Sequence, residues 1–398
     1  MILETLKKSF GKNASFFCFL NTSLSESVLA ILRHKLVEAK IPKNGFLFST
    51  SGTSSGIPRW VVHSEKSLLA NAAVVVKTFG LQSQDRLLLS LPLYHVGGFG
   101  ILARAHLVNA TVEVLGAPEG RGLESLHPEF RPKWNSESFV QEIISKKISW
   151  TSLVPTQVFD VVNLGVQAPS CLKGIWVGGD RLENSIFRRG LQLGWPLLKT
   201  YGMTETGSMF AGLTLDHISG FLGSTDNSEF EDLCEQGLPL FEGWSLEEKS
   251  AGKFLVQGPG LFESYLGEEK LAPFFGPDLL ELDSNGGVKV KGRGSEIVKI
   301  LGEFVNLADL EIKISKAFPS LTGNFCILDS QESRRGRALN FYFEKNKVAE
   351  DDLSALKAWT TQNFSAWEIL KNFVPIETMP RNEMGKIQKN RLSGLSFR

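Results

Sequence analysis

Between Ser49 and Pro58 the chain reads STSGTSSGIP, and Arg59 follows directly. Hydroxyl side chains at Thr50, Ser51, Thr53, Ser54 and Ser55, spaced by Gly52 and Gly56, suit a concave nest whose backbone N–H groups turn toward an anion. Arg59 adds a fixed positive charge at the rim. The apolar run GFLF ahead of the segment and a helical pattern behind it place the loop between buried elements, where α/β proteins hold phosphate. The same composition fits a flexible Ser/Gly linker, so the loop alone leaves both readings open. It is not a Walker A site, because Gly56 precedes Ile57 rather than Lys.

Other stretches carry chemistry only in combination. His95 follows the buried run LLLSLP and opens the Gly-rich loop YHVGGFG, a placement that marks functional loops. His63, His106, His127 and His217 have no such setting and read as ordinary. Gly178-Gly179-Asp180 ends the run GIWV, and Thr200-Tyr201-Gly202-Met203-Thr204-Glu205 ends LLK. Taken singly, Asp278 in GPDLLELDSNG reads as a surface carboxylate and Lys386 near the C-terminus as a solvated cation.

The elements that must position these residues alternate. Strand-like runs at Gly45–Phe48, LLLSLP, TVEVL, ISWTSLV, GIWVGG and LLKTY are separated by helical patterns. Ser64 and Gly80 bracket one helix as N-cap and stop. Ser136 is read as the cap of a helix reaching Lys147, and Pro155 sits in the first turn of the next. A further helix is expected over Ser25–Ala39, and another from Leu182 to Leu191. The rhythm predicts an α/β fold: a large N-terminal domain of mostly parallel sheets flanked by helices. Residues 220–260 turn Gly-rich and acidic and predict a small β-rich section. Beyond it a small mobile α+β C-terminal domain is expected, with helices near Leu307–Ala317 and Asp351–Phe364 and strands near Phe325–Leu328 and Leu339–Phe343. The expected boundary puts residues 1–292 in the large domain and 293–398 in the small one.

The chain has 398 residues, room for both. Lys+Arg and Asp+Glu balance at 43 each, which removes any overall attraction to nucleic acid or an anionic membrane. Cys18, Cys171, Cys234 and Cys326 have no metal-type spacing and read as free thiols of a cytoplasmic protein. The patch FFCFL is too short for a membrane span. Homo-oligomerisation stays open.

In order along the chain, the Ser49–Arg59 loop, Tyr201–Glu205, Asp278, the Gly292-Arg293…Gly302-Glu303 segment and Met384-Gly385-Lys386-Ile387 resemble the motifs of the acyl-adenylate-forming, AMP-binding enzymes. The resemblance implies ATP, Mg²⁺ and coenzyme A, and a carboxylic acid activated as its adenylate. Two anions must meet in such a reaction, so catalysis is mostly charge neutralisation and positioning. By resemblance, Thr50 to Gly56 with Arg59 hold the terminal phosphates, Thr204 bonds the α-phosphate and Glu205 ligates Mg²⁺. Tyr201, beside Gly202, stacks on adenine, and Gly178, Gly179 and Asp180 close its other side. Asp278 and Arg293 grip the ribose, and Lys386 reaches the α-phosphate. His95 lines the acyl pocket, while Lys299 and Gly302 face the site after the small domain swings about Ser295.

Arg59 stands where the family usually has Lys, Trp60 where it has Gly, and the segment before the loop is shorter than in most relatives. The stretches LPLYHVGGFGILARAHL, ISWTSLVPTQV and LGWPLLKTYGMTETGS resemble the o-succinylbenzoate–CoA ligase subgroup of menaquinone synthesis. That substrate carries a second carboxylate, for which Arg104 is the candidate partner. Other small acyl- or aryl-CoA ligases and a non-catalytic nucleotide- or acyl-binding relative are the alternatives.

Overall fold

The computed structural model describes residues 16–18, 30–32, 34–36, 45–50, 59–117, 133–224, 229–269, 273–300, 303–332, 336–382 and 384–392. The expected helix over Ser25–Ala39 lies largely outside them. In chain order, β1 (Phe16–Cys18), β2 (Gly45–Ser49) and β3 (Trp60–His63) lead to α1 (Glu65–Phe79), β4 (Arg86–Leu89), α2 (Val96–Val108) and β5 (Thr111–Val114). Then come α3 (Ser136–Ser145), β6 (Trp150–Leu153), α4 (Pro155–Asn163), β7 (Gly174–Val177), α5 (Asn184–Gln192), β8 (Leu197–Met203) and β9 (Ser208–Gly212).

The runs apolar on both faces become the inner strands of a six-stranded sheet ordered β5-β4-β6-β7-β8-β9, parallel up to β8 and antiparallel at β9. Every residue of β6 and β7 is buried, as expected for a sheet covered by helices on both faces. Trp150 and Trp176 stack across these neighbouring strands with ring centroids 4.9 Å apart, and Phe79 from α1 meets both edge-on.

Helix termini follow their local chemistry. The Ser64 side chain accepts the Ser67 N–H, and Gly80 ends α1 at φ 64°. At α3 the cap is Asn135 rather than Ser136: its side chain accepts the Ser138 N–H at 2.8 Å, and the helix stops at Ser145, short of Lys147. Asn and Ser cap comparably, so the shift is one of register.

A second sheet, ordered β1-β2-β3-β12, adds β12 (Ser264–Tyr265) beside β3. The stretch over 220–260 is less purely β than expected. It holds a short helix, Phe230–Glu235, before the hairpin of β10 (Ser245–Ser250) and β11 (Lys253–Gln257). The hairpin β13 (Asp278–Leu282) and β14 (Val288–Arg293) follows, then β15 (Ile297–Ile300) and β16 (Glu303–Asn306).

Beyond them a separate hydrophobic cluster forms around Leu310, Ile314, Ile327, Phe341 and Leu356. It joins the helices Leu307–Ala317 and Glu350–Asn363 to a three-stranded sheet of Phe325–Glu332, Gly336–Glu344 and Leu370–Ile376. The larger cluster runs from Phe46 to Val288. Among the described residues, no helix is long and apolar enough to cross a membrane. Cys171, Cys234 and Cys326 are free thiols.

Candidate active site

The sheet delivers β8 into a tight turn at Thr204–Thr206, and its three successive carbonyls are each held from a different element. The Thr204 carbonyl is 2.7 Å from His63 Nε2, the Glu205 carbonyl accepts the Phe262 N–H at 2.9 Å, and the Thr206 carbonyl accepts from Asn71 Nδ2 at 3.2 Å. A carbonyl only accepts, so His63 Nε2 carries its proton, and Nδ1 faces the Ser67 hydroxyl at 3.1 Å. Full burial pushes the His63 ring down to about 4 and keeps it neutral. His63 and Asn71 therefore shape the turn, a role for which their sequence context carried no motif. His217 does have the ordinary role expected of it, facing Thr214 at 2.7 Å beside a short helix.

Fixing this backbone aims the side chains of Thr204 and Glu205. Glu205 is buried, and one carboxylate oxygen accepts the Tyr265 hydroxyl at 2.7 Å. Burial, with Glu205 beside it, pushes the Tyr265 phenol up, so it remains a donor. A single carboxylate suits Mg²⁺, which takes one or two protein oxygens and completes its shell with phosphate and water. The described residues hold no cluster of three or more metal-ligating side chains.

Tyr201, on β8, is buried with its ring against Phe210 at 5.1 Å, and its hydroxyl donates to Asp278 at 2.9 Å. Asp278 pairs in register with Arg293 across β13 and β14, which brings these residues to one corner of the site. At Arg293 the description extends to the backbone alone. Gly178 and Gly179 follow β7, with the Thr200 hydroxyl donating to the Val177 carbonyl beneath them. Gly202 pairs with Met209 on β9.

Lys386 arrives from the C-terminal part of the chain, with its ammonium 4.0 Å from Asp180. Asn382 builds its loop, accepting the N–H groups of Met384 and Lys386 at 3.0 and 2.9 Å on its side-chain oxygen. Gly385 sits at φ +71°, and a Cβ there would fall 2.2 Å from the Thr156 hydroxyl of α4. Only glycine meets both demands.

His95 is the N-cap residue of α2, its ring 4.7 Å from Tyr94. Nine residues on, Arg104 is fully buried in the same helix. Its Nη2 donates to the Ser208 hydroxyl at 2.8 Å, and its guanidinium lies 4.6 Å from the Trp176 ring centroid. Its Nε and Nη1 have no hydrogen-bond partner among the described residues. Burial pushes this guanidinium down to about 9, so it remains charged at neutral pH. Gly100, one turn earlier, leaves the space: a Cβ there would stand 3.0 Å from Arg104 Nη2.

The phosphate-loop candidates Ser51, Gly52, Thr53, Ser54, Ser55 and Gly56 lie outside the described residues, as does Gly302. The loop's stem is described. Thr50 N–H donates to the Arg59 carbonyl at 2.8 Å, and Arg59 N–H donates to the Thr50 hydroxyl at 3.0 Å. Arg59 does not stand as a lone rim charge, for its side chain is in a bidentate pair with Glu268 at 2.8 and 3.0 Å. Lys299, on β15, lies 5.6 Å from the exposed Phe304 ring.

Comparison with known proteins matches this architecture. The chain is 25% identical over 351 residues to a 2-succinylbenzoate–CoA ligase of Staphylococcus aureus, spanning 86% of itself and 65% of that protein. It thus spans just under two thirds of the length of the curated relatives it matches. Among solved structures, the o-succinylbenzoate CoA synthetase of Bacillus subtilis, in complex with its acyl-adenylate intermediate, aligns at TM-score 0.72 and 21% identity. That alignment covers 98% of this chain and 81% of the other. ATP-bound MatB from Rhodopseudomonas palustris aligns at TM-score 0.68 and 20% identity, covering 87% and 67%. These likenesses establish the shared fold. The model of the AMP-binding enzymes matches residues 33–266, more than half of the chain. The chain belongs to the AMP-binding enzyme family.

Proposed function

We propose that the chain is an ATP-dependent acid–CoA ligase whose acid carries a second carboxylate, with 2-succinylbenzoate the best match. The overall reaction is 2-succinylbenzoate + ATP + CoA to 2-succinylbenzoyl-CoA + AMP + diphosphate. The observation that carries the choice of acid is Arg104. A buried guanidinium with two nitrogens unpartnered among the described residues is costly unless an anion completes it. A planar carboxylate matches its fork. The relatives named for this acid support the same reading.

In this reading residues 1–292 bind ATP and acid, and residues 293–398 supply Lys386. Arg104 holds the ring carboxylate and leaves the other free to attack the α-phosphorus, with diphosphate leaving in line. Thr204 and Lys386 offset the charge that gathers on the α-phosphate, and Tyr201, Asp278 and Arg293 hold the nucleoside. Mg²⁺ bound at Glu205 would neutralise phosphate charge. The CoA thiol then attacks the acyl carbon and AMP departs. The site's demand for free ATP and CoA fits a cytoplasmic enzyme.

The test is diphosphate release with 2-succinylbenzoate and with 4-oxo-4-phenylbutanoate, which lacks the ring carboxylate. Arg104→Ala is expected to raise KM for the first at least tenfold, from the loss of a charge-assisted pair of about 1.5–3 kcal/mol. KM for the second should barely change. Equal effects on both acids, or none, would remove Arg104 from substrate binding.

A further inference from the structure

Arg59 and Tyr265 form a built connection to Glu205 that the reaction scheme leaves unused. The Arg59 guanidinium carbon lies 3.3 Å from the centroid of the Tyr265 ring. Glu268, three residues after Tyr265, holds the same guanidinium through both carboxylate oxygens. Tyr265 is 5% exposed, its ring packs on Phe262 at 4.9 Å, and its hydroxyl reaches Glu205. Main-chain bonds fix both ends: Leu266 N–H donates to the Trp60 carbonyl at 2.8 Å, and Tyr265 pairs with Val61.

We infer that Tyr265 is a positioning residue for Glu205, held in place by Arg59, and that Arg59 acts through this stack rather than by gripping phosphate. The inference rests on Glu205 being the Mg²⁺ ligand of the proposed reaction. A phenol donating to one carboxylate oxygen fixes the plane of the group and so the direction in which the other oxygen points. Partners of this kind typically change metal affinity about 10–100-fold. Arg suits the role better than Lys: its planar guanidinium can stack on the ring and donate to both oxygens of Glu268 together.

The experiment is calorimetric titration of the full chain with ATP, with saturating Mg²⁺ and with EDTA. Its readout is the ratio by which Mg²⁺ tightens ATP binding. Tyr265→Phe removes one hydroxyl and should shrink that ratio about tenfold or more while leaving ATP affinity in EDTA unchanged. Arg59→Met should shrink it about two- to fivefold, as expected for a half-exposed stack and ion pair. Arg59→Lys should fail to restore it fully. An unchanged ratio in Tyr265→Phe overturns the inference alone. So does weaker binding of Arg59→Met in EDTA with the ratio intact, because that assigns Arg59 to the phosphates. If the wild type binds no ATP, the underlying functional reading falls and this inference with it.

Discussion

At the scale of single residues, the candidate site depends on neutral and charged groups placed where water cannot reach them. His63 holds the Thr204 carbonyl as an uncharged ring, because burial lowers its folded pKa to about 4 against 6.5 for the free side chain. The unfolded chain therefore takes up a proton that the folded chain refuses. The stability from this group is fully present above pH 6.5 and is lost as the pH falls toward 4, by about 3 kcal/mol. Urea unfolding of the wild type between pH 7 and 4.5 should show this loss, and His63→Gln should show a shallower dependence. Identical pH dependence in the two proteins would rule out the buried neutral ring. The Thr204-Glu205 pair was legible in the sequence because its neighbours spell a compact motif. His63, Asn71 and Tyr265 were not, since they reach the turn from 141, 135 and 60 residues away through backbone or single-atom contacts.

At the scale of elements, the periodicity of the chain carried most of the fold. Strands buried on both faces and helices bounded by Ser64, Gly80 and Pro155 are local patterns, and the sheet follows from them. What pattern reading cannot supply is the meeting of elements from different parts of the chain. The Lys386 loop shows this: its Asx turn on Asn382 is local, but its fit depends on Thr156 at the start of α4. Gly385→Ala should shift the loop away from α4 and cut adenylation at least tenfold, because small displacements of a catalytic group are costly. The melting temperature should fall by no more than a few degrees, since the substituted residue is only partly buried and lies in a loop. A variant with normal adenylation would show that this contact does not set the position of Lys386.

At the scale of the whole molecule, Lys386 comes from the C-terminal part of the chain to stand beside Asp180, while Tyr201 belongs to the larger hydrophobic cluster. Arg104 lies fully buried on α2, donating to Ser208 at the start of β9. This division of charge underlies the proposal of a two-step ligase: one cation selects the acid and the other serves the reacting phosphate. Its most direct test is diphosphate release from ATP and 2-succinylbenzoate, with and without CoA, in the wild type and in Lys386→Ala. The expected result is release by the wild type without CoA, thioester only when CoA is added, and release reduced at least a hundredfold in Lys386→Ala. That variant should still form thioester from supplied acyl-adenylate. No acid-dependent release by the wild type, or normal release by Lys386→Ala, would contradict the account.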